Sequence, residues 1–207
     1  QGGAGADTLH GGAGNDTLDG GTITDTVNYA DSNVATYFSA TRGVNVNLLI
    51  NTAQDGLGGT DTLSNINIVI GSNHNDTITG TNWQLFEQFD GGLGDDTIDG
   101  GAIDTGTLAN PNRVAYVGAT GAVQVDLGLN KATGAAGNDT LLNINQVRGS
   151  NFDDNLKGSD ATARSHWPAS AATQSNRDRP TAKRSCSGSQ AMSPTRTSAS
   201  CRLAETT

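Results

Sequence analysis

A nine-residue period governs the start of this chain. Residues 2–28 divide into GGAGADTLH, GGAGNDTLD and GGTITDTVN. The first two units fit G-G-x-G-x-D-x-U-x, where U is a large aliphatic, and the third keeps its glycine pair, Asp25 and Val27. Six residues rich in Gly and Asp favour a tight turn, with glycines at positions one, two and four supplying positive φ and close backbone approach. The x-U-x triplet turns one aliphatic inward and its neighbours outward, which makes a short half-buried strand. A unit this small cannot bury its apolar residue alone, so neighbouring units must stack into a continuous core.

The rhythm returns along the chain. Val44, Val46 and Leu48 alternate with Asn45 and Asn47, which predicts a half-buried strand inside a longer insert. Residues 56–64 (GLGGTDTLS) carry Asp61 and Leu63 in the unit positions, and residues 71–79 (GSNHNDTIT) carry Asp76 and Ile78. An eleven-residue variant, GTNWQLFEQFD, places Phe89 where the aliphatic belongs, and Trp83, Leu85 and Phe86 read with it as the plug of an irregular coil. Residues 91–99 (GGLGDDTID) form another near-perfect unit. Residues 113–130 then resemble the first insert, and residues 134–158 repeat residues 56–80 at an offset of 78, matching Asp61 with Asp139 and Asp76 with Asp154. Two nested repeats predict a solenoid over residues 1–160, with nonapeptides at 2–28, 56–64, 71–99 and 134–157 and inserts at 29–55 and 107–133.

Charge divides the chain near Asp160. Residues 1–160 hold five basic residues (Arg42, Arg113, Lys131, Arg148 and Lys157) against nineteen acids, a net charge of −14; seven basic and two acidic residues give the tail +5. With aromatics at 4% and mean hydropathy of −0.42, the body has little apolar surface to set against a backbone ordering cost of about 1–2 kcal/mol per residue. It needs a partner or a counter-ion. Residues 161–207 lose the rhythm and read as a disordered basic tail or as an out-of-frame continuation; Cys186 and Cys201 lie there, with a spacing that does not establish pairing.

The position-six Asp supplies a hard carboxylate oxygen beside open turn carbonyls, and Ca²⁺ takes six to eight oxygens at roughly 2.3–2.6 Å. The whole pattern resembles the RTX (hemolysin-type) calcium-binding nonapeptide repeat over about residues 2–160. That resemblance implies an all-β parallel β-roll in which successive strands lie on opposite sheets and an ion sits between turns stacked on one side. Carried over position by position, it implies metal ligands at Gly2, Gly3, Gly5 and Asp7; Gly11, Gly12, Gly14 and Asp16; Gly20, Gly21 and Asp25; Gly91, Gly92, Gly94 and Asp96; and Asp61, Asp76, Asp139 and Asp154. By the stacking rule, turn 2–7 pairs with turn 20–25 and turn 71–76 with turn 91–96, whereas turn 11–16 lacks an upper partner before the insert. Ile23, His74 and Phe152 depart from the pattern at position four, and Asp104 falls one place early.

Other chemistries find no support. There is no G-x-x-x-x-G-K-[ST] loop, no Glu at the twelfth position of an EF-hand loop, no H-E-x-x-H and no Ser/His/Asp grouping, so no catalytic constellation is present. His10, His74 and His166 are scattered, and the tail lacks the interleaved aromatics of a nucleic-acid surface. No stretch approaches the ~20 apolar residues of a membrane span, and no basic-then-apolar leader opens the chain. Beginning in mid-repeat, the sequence reads as a portion of a larger polypeptide. The expected function is calcium binding by a secreted, bacterial-type extracellular or cell-surface region that folds on Ca²⁺ and supports export and stability of a larger protein, with a type I secretion machinery as its implied export partner. The alternative is a structural or adhesive solenoid segment of a surface protein; an outward ladder of Thr8, Thr17, Thr26, Thr77 and Thr97 would also suit a flat surface-binding face.

Overall fold

The computed structural model describes residues 1–24, 31–82, 86–102 and 111–159, together with the backbone of Thr173–Gln174. One compact unit spans Gln1–Arg177; a second, Asp178–Thr207, lies outside the described residues, as do Asp25, Trp83, Leu85 and Asp104. Among the described residues every regular element is a strand, and no helix is long and apolar enough to cross a membrane.

The strands form two sheets. One stacks β1 (Thr8–Leu9), β3 (Val34–Thr36), β7 (Ile68–Ile70), β9 (Glu87–Asp90), β11 (Asn112–Ala115), β15 (Gln146–Arg148) and β17 (Thr173–Gln174) in chain order, each pair parallel. The other holds β2 (Thr17–Asp19), β4 (Asn45–Asn47), β5 (Thr52–Gln54), β6 (Thr60–Ser64), β8 (Thr77–Thr79), β10 (Thr97–Asp99), β12 (Val123–Asp126), β13 (Lys131–Gly134), β14 (Gly137–Leu142) and β16 (Asn155–Lys157). Because parallel neighbours cannot be joined by a tight hairpin, the chain crosses to the opposite sheet between rungs, and the result is a β-roll.

The nonapeptide strands β2, β8 and β10 bury their middle residue and expose the first, as the x-U-x pattern requires: Thr77 and Thr97 face outward, whereas Ile78 and Ile98 are fully buried. Register then stacks the inward residues into columns. In the first sheet Ala35, Val69, Phe89, Val114 and Val147 lie in successive rungs. In the second, Val46, Ile78, Ile98 and Leu141 do the same. Phe89 occupies the aliphatic position of the eleven-residue unit and fills that column; Phe86 is buried too, with the Arg113 guanidinium over its ring.

The inserts depart from the simple expectation of one strand each. The second sheet runs in the order β2, β6, β5, β4, β8, β10, β14, β13, β12, β16. After β3 the chain overshoots to place β4 beside β8, then folds back through antiparallel β5 and β6 until β6 meets β2. The second insert repeats this: β12 lies beside β16, and β13 and β14 step back to β10. Asn51 and Asn130, at φ of 58° and 55°, turn the first hairpin of each meander, a left-handed conformation that Asn tolerates well. Tyr37 corresponds to Tyr116 at an offset of 79, whereas Asp61 corresponds to Asp139 at 78, so one residue is lost in the hairpin between them.

Phe89 has no exposed surface and touches both neighbouring rungs through Val69 and Val114. Phe89→Ala should therefore destabilise the calcium-loaded fold by about 3–5 kcal/mol, read as a fall in the denaturant midpoint.

Candidate metal centre

Register converts the repeat into two rows of position-six residues, one along each edge of the roll. On the edge leading into the second sheet, Asp16 lies beside Asp61, and Asp76, Asp96 and Asp139 follow one another in adjacent rungs. Each carboxylate accepts the backbone N–H of its neighbour: Asp16 N donates to Asp61 Oδ1 (3.0 Å), Asp76 N to Asp96 Oδ1 (2.8 Å) and Asp96 N to Asp139 Oδ1 (3.1 Å). Turn 11–16 thus has a stacking partner after all. The backward step of the first meander brings the hairpin at 55–61 against it, a neighbour that chain order alone conceals.

The second oxygen of each carboxylate separates these positions. Asp76 Oδ2 accepts the Ser72 N–H, and its Oδ1 accepts the Ser72 hydroxyl and Val44 N–H. Asp154 is held in the same way by Ser150 and Val123. Asp61 Oδ2 and Asp139 Oδ2 accept the buried hydroxyls of Tyr37 (3.3 Å) and Tyr116 (2.8 Å). Asp16 Oδ2 and Asp96 Oδ2, by contrast, are buried without any hydrogen-bond partner. Both belong to turns with Gly at position two, so no serine hydroxyl caps them.

Position one is glycine for a different reason from positions two and four. Gly12, Gly92, Gly14 and Gly94 have positive φ, whereas Gly11 and Gly91 do not. At Gly91 a Cβ would stand 2.1 Å from Asp96 Oδ2, so the glycine clears space for the carboxylate folded back over it.

The opposite edge is built differently. Its row reads Asp7, Asn33, Asn67, Glu87, Asn112, Asn145. Asp7 N donates to Asn33 Oδ1, Asn33 N to Asn67 Oδ1 and Asn112 N to Asn145 Oδ1. The amide nitrogens finish the bonding by donating to turn carbonyls: Asn33 Nδ2 to Asn65 O (3.0 Å), and Asn112 Nδ2 to Asn143 O (3.0 Å) and Gly100 O (2.6 Å). Asn33 therefore supplies both the acceptor and the positive partner for a carbonyl without carrying charge, whereas Asn112 donates only and its Oδ1 is buried without a partner. Turn 2–7 sits on this edge with Gly2 and Gly3 against Gly20 and Gly21, and Gly3 N donates to Asp7 Oδ2 (2.8 Å). The residue in register with Asp7 is Asn33; Asp25 lies outside the described residues.

Electrostatics make the acidic edge costly without a cation. Burial pushes Asp96 up to about 8, with the like charges of Asp139, Asp76 and Asp90 adding to the effect. Burial likewise raises Asp76, Asp61 and Asp139 and lifts Asp90 to about 6. Glu87, on the other edge, is raised to about 7 by burial against two contacts from the Thr81 N–H. Calcium suits the acidic edge on the evidence of its unpartnered oxygens, at Asp16 and Asp96. Among the described residues no three His, Cys, Asp or Glu side chains close on one point, so a hard cation here would complete its shell with turn carbonyls.

A pH dependence follows for the metal-free protein. An acid whose folded pKa lies above its unfolded value makes the folded chain hold an extra proton between the two, so stability falls as pH rises across that window. With Asp96 at about 8 against an ordinary value of 3.8, whatever β structure persists in EDTA should weaken steadily from about pH 4 to pH 8. Far-UV circular dichroism melts at stepped pH would show this, and saturating calcium should flatten the trend.

The comparison with known families agrees with this geometry. The family model described as RTX calcium-binding nonapeptide repeat (4 copies) matches residues 1–27 and 87–102, which contain the turns of Asp16 and Asp96. No curated protein matches the chain. The described residues form an all-β roll, and residues 1–27 and 87–102 match the RTX calcium-binding nonapeptide repeat.

Proposed function

We propose that the acidic edge is a calcium-operated folding switch, with Asp16 and Asp96 as the principal carboxylate ligands and the carbonyls of turns 11–16 and 91–96 completing the shell. The observation that carries this reading is the row Asp76, Asp96, Asp139. Three buried acids stand in adjacent rungs, and the middle one keeps an oxygen without a partner inside a GGxGxD turn. A divalent cation neutralises that row and ties the turns together. Because the unfolded chain offers no preformed site, the free energy of binding becomes free energy of folding.

Such a switch suits a secreted protein. In low calcium the acidic chain stays open and passes readily through an export machinery of the type I kind; in the millimolar calcium outside the cell it closes. Extracellular calcium modules work at about 10⁻⁴–10⁻³ M, the range in which a switch of this kind would act. The region would then support export and stability of a larger extracellular polypeptide. A second reading, a stiff structural or adhesive segment at the cell surface, draws support from the asparagine row, which braces one edge without metal. Secretion of the intact gene product into the medium favours the first reading, and retention on the cell surface favours the second.

A calcium titration followed by far-UV circular dichroism should show β structure rising with Ca²⁺ from a largely disordered state in EDTA. Asp96→Asn should raise the calcium concentration at half-folding by about tenfold, since one charged ligand is lost. Asp154→Asn, at a carboxylate already capped by Ser150, should move it less than about twofold. A signal indifferent to calcium would count against the switch.

A further inference from the structure

The first insert differs from the second at one position that the repeat does not include. Asp55 precedes the glycine-rich hairpin between β5 and β6, and its counterpart in the second module is Gly134. Asp55 is 1% exposed. Its Oδ1 accepts the N–H groups of Leu57, Gly58 and Gly59, each at 2.8 Å, while its Oδ2 is buried with no hydrogen-bond partner.

The hairpin carries Asp55 to the nonapeptide turn 11–16. A Cβ at Gly59 would meet Gly14 O at 1.8 Å and Asp55 Oδ2 at 2.8 Å, so a turn carbonyl and an unpartnered carboxylate oxygen converge on one small space. Asp16, with its own unpartnered Oδ2, belongs to that same turn, and Asp61 closes the hairpin in register with it. In the second module the close approach is repeated, with Gly137 against Gly94 O at 1.8 Å. There the Gly94 N–H is satisfied by Ala136 O at 2.8 Å, and Gly134 stands in the place of Asp55. The two hairpins make the same close approach, but the first, one residue longer, carries a buried carboxylate there.

We propose that Asp55 and Asp16, with the Gly14 carbonyl, form a divalent-cation site in which the insert hairpin, rather than a second nonapeptide, supplies the facing half. The site rests on the calcium reading of the acidic edge and adds a ligand from outside the repeat. Two carboxylate oxygens and a carbonyl are hard donors, which favours Ca²⁺ over softer metals. The second module, with Gly134, has no equivalent, so the two inserts differ in calcium content.

Equilibrium dialysis of the full chain against Ca²⁺ tests this, with Asp55→Asn as the main variant because the amide keeps an oxygen for the three turn N–H groups. Asp55→Ser, which also retains a capping oxygen, serves if the first variant loses its β signal in saturating calcium. The expected result is the loss of one bound calcium per chain, or a fall of about tenfold or more in the affinity of one site, with the remaining sites unchanged. Full stoichiometry with unaltered affinities in a folded Asp55 variant would overturn the proposal while leaving the acidic-edge reading intact. Failure of the unmodified chain to bind calcium at all would overturn both.

Discussion

A column of buried carboxylates is the constraint on which the acidic edge depends. Stacking rungs at the spacing of a parallel sheet brings position-six acids into adjacent layers, where burial raises every one of Asp76, Asp96 and Asp139 and the like charges of Asp139, Asp76 and Asp90 add to the effect at Asp96. The backbone accepts this arrangement because each carboxylate takes the next rung's N–H, a bond that would otherwise go unmade in a turn. What the backbone cannot supply is positive charge. The fold therefore meets the deficit locally, with a serine hydroxyl at Asp76 and Asp154 and a tyrosine hydroxyl at Asp61 and Asp139. Asp16 and Asp96 are left with open oxygens, and those are the positions where a cation has the most to offer.

The opposite edge shows the same geometry solved without charge. Asn33, Asn67 and Asn145 accept the neighbouring N–H as an aspartate would, and Asn33 and Asn112 donate to the turn carbonyls. Neither edge is uniform: Asp7 opens the asparagine row, and Val44 and Val123 interrupt the acidic one where the meanders cross. The roll is thus braced by amides along one edge and dependent on a counter-ion along the other.

The sequence makes the local chemistry legible and hides what depends on rung order. Turn and strand positions, the inward column at Ile78 and Ile98, and the aromatic substitution at Phe89 all follow from a nine-residue window. The three-strand meanders do not, because their direction is set by which rung β4 and β12 join, and that choice is tertiary. The partner of turn 11–16 was hidden for the same reason, as were the Tyr37–Asp61 and Tyr116–Asp139 bonds. Asp55 escapes a reading framed on residues 56–64 because it stands one place outside the unit. The asparagine row did leave a trace: Asn65-Ile66-Asn67 recurs as Asn143-Ile144-Asn145, a repeated pair with one asparagine in the left-handed turn and the other in the row. Asparagine is so common in turns that this signal is weak without register.

The division of labour between the two edges is best tested by diffraction from crystals grown in calcium, with anomalous data locating the ions. The account predicts calcium at turns 11–16 and 91–96 on the acidic edge and none among Asn33, Asn67, Asn112 and Asn145. An acidic edge free of calcium at saturating concentration, or ions seated along the asparagine row, would contradict it.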